Sequence, residues 1–300
     1  MRRAGQGRIA AAACAALLAC AALLAPAWAD EGADAEAGRI ARRDLALIEA
    51  RLMQMPAQVP GTPDLYAIAV AGDGDEHVFR NEALYFEELA TVRYGAAGRT
   101  LALVNHPRSL DGDPRPLATL ENLRAALQGI GARMDPEEDL LLLFLTTHGS
   151  RDHALSMRLE GHVDAGLRPA ELREALDASG IRHRLLIVSA CFSGGFIPAL
   201  ADPSTLVITA ARHDRPSFGC GDSGSATWFG RALLVEGLNR DEGLVGAFEY
   251  ARRQVARRET MEDVAPSYPQ ISIGADIATR LDAWEASLAR GPRLPYPHPL

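Results

Sequence analysis

Residues able to do nucleophilic chemistry stand at the ends of two apolar runs. Asp139-Leu140-Leu141-Leu142-Leu143-Phe144-Leu145-Thr146-Thr147 stops at His148-Gly149-Ser150, and Leu185-Leu186-Ile187-Val188-Ser189-Ala190 stops at Cys191-Phe192-Ser193-Gly194-Gly195. Apolar runs of this length fit strands covered on both faces, as in a parallel sheet. In open α/β sheets ligands bind just beyond the carboxyl ends of the strands, so an imidazole and a thiol fall where such folds do chemistry. A thiol is mostly protonated at neutral pH and needs a base or a positive field to attack as thiolate. His148 can supply either, and can then protonate a leaving amine. Gly149, Gly194 and Gly195 permit close backbone approach, and N–H groups at such turns can hold an oxyanion. Taken singly, a buried thiol and a turn histidine are ordinary structural features; their placement at two strand ends points to chemistry.

The elements that would position these residues alternate along the chain. Residues 34–54 read as an amphipathic helix, with Ile40, Leu45, Leu47, Ile48 and Leu52 apolar between charges, and Pro56, Pro60, Gly61 and Pro63 mark a linker. Strands are expected at 65–70, 101–104, 140–147, 185–190, 206–209 and 270–273. Helices are expected at 82–92, 117–127, 169–178, near 226–238, 243–258 and 275–289. This alternation predicts an α/β fold, a mainly parallel sheet with helices on both faces. The expected organisation is a signal peptide at 1–29, a helical extension and linker at 30–63, a catalytic domain at 64–290, and a loose Pro-rich tail at 291–300.

The N-terminus is basic through Arg2, Arg3 and Arg8, apolar from Ile9 to Leu24, and offers Ala27-Trp28-Ala29 as a small-x-small cleavage site. The expectation is an exported, periplasmic or secreted protein cut near Ala29. Leu17-Leu18-Ala19-Cys20 offers the alternative of a lipoprotein anchored at Cys20. Cleavage removes three arginines and no acid from a chain whose net charge is already −8. An acidic chain without a basic block is a poor nucleic-acid binder. All basic side chains are Arg, with no Lys, which excludes Schiff-base chemistry and a Lys-bearing phosphate loop. Cleavage also removes Cys14 and Cys20, leaving Cys191 and Cys220 either as a disulfide or as free thiols.

The two motifs resemble those of the legumain-like cysteine peptidases, family C13 of the caspase-like clan CD. Its hallmark, an apolar strand ending His-Gly and another ending Ala-Cys, is matched by Leu145-Thr146-Thr147-His148-Gly149-Ser150 and Val188-Ser189-Ala190-Cys191-Phe192-Ser193-Gly194. Thr209-Ala210-Ala211, Ser217-Phe218-Gly219-Cys220 and Thr227-Trp228-Phe229-Gly230 extend the similarity over most of 65–240. The resemblance implies a caspase/hemoglobinase-like fold and a peptide or protein substrate, without a cofactor or metal. It makes Cys191 the nucleophile, His148 the catalytic His, and the backbone amides of Gly149 and Cys191 the oxyanion hole. Transamidases of the same family make peptide transfer a close variant, and a non-catalytic caspase-like binding module is the alternative of another class.

The pocket candidates are Arg80, Ser150, Phe192, Ser217 and Arg231. Arg80 matches an Arg lining the legumain specificity pocket. Phe192 replaces the acid after the family's nucleophile, and Arg231 replaces the Asp after its Thr-x-x-Gly motif, so a P1 preference other than Asn is implied. Arg231, where it faces the pocket, would favour an acidic or polar P1 residue. The family's His-orienting Asn aligns with Val78 in a stretch expected to be loop, leaving Asp73, Asp75 or Asn81 as substitutes.

Other motifs compete weakly. Gly221-Asp222-Ser223-Gly224 looks like a serine-peptidase nucleophile, but those enzymes are all-β. Ser193 lacks the Gly-x-Ser-x-Gly elbow and is expected to shape its turn. His148, His153 and His162 match no zinc spacing and are read, outside the dyad, as solvated loop residues. Asp73 and Asp75 are read as a polar turn rather than a calcium loop.

Overall fold

The computed structural model describes residues 25–221 and 224–299. Cys14, Cys20, the bulk of the expected signal peptide and Ser223 lie outside the described residues. A helix, α1 (Ala25–Gln54), begins the described chain. The compact unit that carries the sheet runs from Asp44 to Leu300. Among the described residues no helix is long and apolar enough to cross a membrane.

Six strands form the main sheet: β1 (Leu65–Ala71), β2 (Thr100–Val104), β3 (Leu140–Thr146), β6 (His183–Ser189), β7 (Thr205–Thr209) and β8 (Gln270–Ile273), in the order β2-β1-β3-β6-β7-β8. All pairings are parallel except β7 with β8. The central strands are buried along their whole length, which explains why they read as continuous apolar runs. Alternate residues feed two cores. Ala67, Ala69, Leu142, Phe144, Leu185 and Ile187 face α2 (His77–Arg93) and residues of the two C-terminal helices. Tyr66, Ile68, Leu141, Leu143, Leu186 and Val188 face Ile48 and Leu52 of α1, with α3 (Leu120–Gly131) and α4 (Pro169–Ala178). The C-terminal helices are α5 (Gly243–Met261) and α6 (Ala275–Ser287). The strand order turns back at β1, which lies between β2 and β3, a topological switch of the kind at which such sheets bind ligands beyond the carboxyl ends of their strands.

Several boundaries differ from the sequence expectations. Helix α2 starts at His77 rather than Glu82, so Val78 is a buried first-turn residue and not a loop residue. Val78 and Phe79 extend the apolar stripe of Phe86 and Leu89, which accounts for the longer helix. Helix α3 starts after Thr119, whose side chain accepts the Asn122 N–H. The stretch after His148 contains an unexpected hairpin, β4 (Leu155–Leu159) with β5 (Val163–Leu167), whose inward residues Leu155, Met157 and Leu159 alternate. Residues 228–237 form a short helix running into a π-helical turn instead of one regular helix. The tail is not loose: the Leu294 carbonyl accepts from Tyr85 and Asn239, and Leu294 and Tyr296 pack on the core.

Glu82 ties three of these elements together. It sits on the buried stripe of α2 at 1 % exposure. Its carboxyl takes the Thr146 hydroxyl at the end of β3 (2.6 Å) and the Thr227 N–H (2.7 Å). Burial raises its pKa above the usual carboxylate range, against the lowering effect of those bonds. Glu82→Ala strands both partners and leaves a void, and is expected to cost about 2–4 kcal/mol in denaturant unfolding. A native pKa above the unfolded one means that the folded state holds the proton longer. Wild type should therefore gain stability relative to Glu82→Gln as pH falls through the raised folded-state pKa toward the unfolded carboxyl pKa near 4.5. A pH-independent difference between the two melting curves would contradict this.

Candidate active site

The register of the two central strands brings His148 and Cys191 together. β3 and β6 pair from Leu140 with His183 to Thr146 with Ser189, and Thr147 N–H still bonds the Ser189 carbonyl at 3.2 Å. Continued by two residues, this register sets His148 opposite Cys191. The chains converge there: a Cβ on Gly149 would lie 2.1 Å from the Cys191 carbonyl oxygen, so only glycine fits. Gly149 faces Leu155 of the hairpin in a bridge whose hydrogen bonds are made by its neighbours, Ser150 N–H to Ala154 and Ser156 N–H to the His148 carbonyl. Its own N–H therefore points away from the hairpin, toward the β6 side.

His148 is half-buried, with the edge of Phe79 against its ring at 4.9 Å between centroids. Its backbone is fixed through Ser156, whose hydroxyl donates to the buried Asp73 carboxylate at 2.7 Å. Of the three substitutes for the family's Asn, Asp73 thus reaches His148 by way of Ser156. Asn81 donates to the Ser225 carbonyl, and Asp75 N–H caps Asp73 in the expected polar turn.

Cys191 follows β6 on a tight turn. Phe192 adopts a left-handed conformation, φ 56°, uncommon for a bulky residue. Its N–H donates to the Arg215 carbonyl at 2.8 Å. Buried Ser193 accepts the Ala211 N–H, and Gly194 N–H donates to the Ala211 carbonyl, locking the turn to the segment after β7. His153 departs from the expectation of a solvated loop residue. Its Nδ1 lies 3.1 Å from the Phe192 carbonyl, and its ring fills the space where a Gly195 side chain would be. The pattern that hints at it is the glycine pair at 194–195, which leaves room for a ring.

The Cys191 sulfur is held by the backbone of Ser217: it accepts the Ser217 N–H at 3.2 Å and donates to the carbonyl at 3.4 Å. Burial pushes the thiol pKa up, opposed by those backbone groups. Cys220 is also a free thiol, not bridged to Cys191. Burial, and secondarily the proximity of Cys191, push its pKa up to about 11.

The pocket candidates separate. Phe192 is buried beside Cys191 with the Arg151 guanidinium 5.2 Å from its ring centre, and Ser217 touches the sulfur. Ser150 is exposed, its hydroxyl on Asp152 and the Ala154 carbonyl. Arg80, in the first turn of α2, pairs with Asp113 at 2.9 Å, and Arg231 with Glu236 at 3.0 Å. Among the described residues no three or more His, Cys, Asp or Glu side chains form a group able to hold a metal ion. Phe79 and Glu82 were accessible only as members of an amphipathic pattern, not as site residues.

No curated protein sequence matches the chain. Among solved structures, caspase-1 from Spodoptera frugiperda aligns with a TM-score of 0.48 and 17 % identity, over 73 % of this chain and 92 % of that one. The model of the peptidase C13 family matches residues 121–279, just over half of the chain and a span that holds both His148 and Cys191. The chain belongs to the peptidase C13 family.

Proposed function

We propose that this protein is a cysteine endopeptidase in which Cys191 is the nucleophile and His148 its proton-transfer partner. The observation that carries this reading is the β3–β6 register, whose last pair, Thr146 with Ser189, lies two residues before His148 and Cys191 on the two chains. In the first step the Cys191 thiol loses its proton toward His148, and the sulfur attacks the substrate carbonyl carbon. The N–H groups of Gly149 and Cys191 receive the developing oxyanion. His148 then protonates the departing amine, the C–N bond breaks, and a thioester remains. Water, deprotonated by His148, attacks the thioester and restores the thiol. An amine in place of water gives the transamidase variant.

The substrate is a peptide or protein segment lying along the crevice, beside Phe192 and Ser217. With Phe192 and Arg231 in place of two family acids, P1 selection differs from Asn, and a P1-scanning library dominated by Asn would overturn this point. The burial of the protonated thiol favours, as a second reading, a non-catalytic binding module on the same fold.

Three measurements test these statements. On a mixed peptide library, Cys191→Ala should abolish hydrolysis and His148→Ala should reduce it by about 10²–10⁴-fold. Activity of Cys191→Ala equal to wild type would remove the thiol from the mechanism. A wild type that cleaves nothing but binds the same peptides as Cys191→Ala would select the binding module. Because burial raises the Cys191 pKa, alkylation of Cys191 in the Cys220→Ser variant should be slow at pH 7 and climb beyond the ordinary thiol range. A rate already at its plateau at pH 7 would show a thiolate instead.

A further inference from the structure

Strand β6 ends two residues before Cys191, and its other end carries a second polar residue that the peptidase reading does not use. His183 is in phase with Leu185 and Ile187, so its side chain lies on the face of the sheet that α6 covers. It is only 5 % exposed, and among the described residues neither ring nitrogen makes a hydrogen bond of good geometry, although the Glu137 backbone lies close enough to oppose the effect of burial on the ring. A buried imidazole left in this way is unusual, because interior polar groups are nearly always paired with protein, water or ligand.

A cavity of about 450 Å³ opens at this point, between the start of β6, the loop before β3 and one face of α6. Asp276, Thr279, Arg280 and Ala283 all line it, at helical spacings of three and four. Arg182 is already committed to both carboxylate oxygens of Glu137, at 2.6 and 2.5 Å. Arg280 is half-buried and, among the described residues, makes no hydrogen bond or ion pair, although Asp276 is one turn away on the same helix. Burial lowers the His183 pKa, and the Arg280 charge pushes it further in the same direction. An anion placed between the two would relieve that repulsion.

Beside the Glu137 carboxylate, which Arg182 already holds, and the Asp276 carboxylate, this cavity is lined by the Arg280 guanidinium, the exposed Thr279 hydroxyl and an imidazole that always carries at least one N–H, all able to donate. Their complement is a group that only accepts. We propose that the cavity binds a small oxyanion, a phosphate or carboxylate group, held by Arg280, the Thr279 hydroxyl and His183. Asp276, exposed at the rim, confines the anion to the Arg280 and His183 end. The volume suits a small molecule that carries such a group rather than a polypeptide. Eight residues of extended chain separate His183 from Cys191, about 26 Å, so the site stands apart from the peptidase crevice and does not depend on the chemistry proposed there.

The test is a titration of the full chain, labelled with ¹⁵N-histidine, with inorganic phosphate and separately with acetate. Ionic strength is held constant, and chloride serves as control. The His183 ring signals are assigned by their loss in His183→Gln. They should move saturably with one of the two anions, and the anion that saturates identifies the group as phosphate or carboxylate. Arg280→Gln, a half-exposed change that leaves the core intact, should weaken binding by about tenfold, while the His148 signals stay put. Three results would overturn the proposal: no saturable shift with either anion, an equal shift with chloride, or an unchanged dissociation constant in Arg280→Gln. Should His183→Gln fail to fold, the Arg280→Gln titration, followed on wild-type signals or by calorimetry, decides alone.

Discussion

The register between β3 and β6 is the constraint on which the rest of the site depends. A shift by one residue would turn His148 away from Cys191 and move every side chain to the opposite face. Hydrophobicity alone does little to prevent such a shift, because both faces of the sheet are buried and apolar. Polar groups at the strand ends anchor β3 itself. At the start of β3 the Asp139 carboxylate takes the Asp64 and Asp135 N–H groups at 2.9 and 2.8 Å. At its end the Thr146 hydroxyl meets Glu82 at 2.6 Å. Beyond that, Gly149 passes so close to the Cys191 carbonyl that no side chain fits. β3 is thus clamped at both ends; of these contacts the close approach at Gly149 is the one that reaches the β6 chain, and the apolar middle supplies stability without choosing the alignment.

The same clamps shape the electrostatics. Glu82, Cys191 and Cys220 are all pushed toward their neutral forms, and burial is the leading cause in each case. What opposes burial at Cys191 is the backbone of Ser217 and of Cys191 itself. A dry site of this kind strengthens each dipole that faces it, and backbone dipoles need no reorganisation when charge develops. The segment bearing Ser217 is itself anchored, through Phe218 O to Trp228 N–H at 3.0 Å and from there to the neighbourhood of Glu82. Mobility at Glu82 would therefore reach the sulfur by way of Thr227 and the 217–220 segment.

Much of the fold was legible in the sequence because its strands are long, apolar and separated by helical periodicity. All six strands of the main sheet fall where the apolar runs lie, and the parallel arrangement of the first five follows from the intervening helices, whereas β8 pairs antiparallel with β7. The departures arise where local signals are short. The β4–β5 hairpin has strands of only five residues: β4 alternates, with Ser156 and Arg158 between its apolar positions, but is short, and β5 exposes Asp164, Ala165 and Gly166. The tail reads as loose from its prolines. It is ordered by Asn239 and Tyr85, residues 55 or more positions away whose reach no local pattern reveals.

The sequence proposes a dyad at two strand ends but does not reveal the partners of the side chains around it, for a physical reason. A strand-end His or Cys is positioned by the backbone, which the sequence pattern determines. The effect of an arginine depends instead on where its guanidinium finds an acid. Arg80 and Arg231 both suggested positive charge in the substrate pocket, yet Asp113, 33 residues from Arg80, and Glu236, five residues from Arg231, each take one of them. Both pairs are partly exposed, and such pairs are individually weak. A substrate carboxylate can compete for either arginine only by offering more than the resident acid already gives. Pocket polarity is therefore set by the difference between two partners, and reading selectivity from the arginines alone counts only one of them.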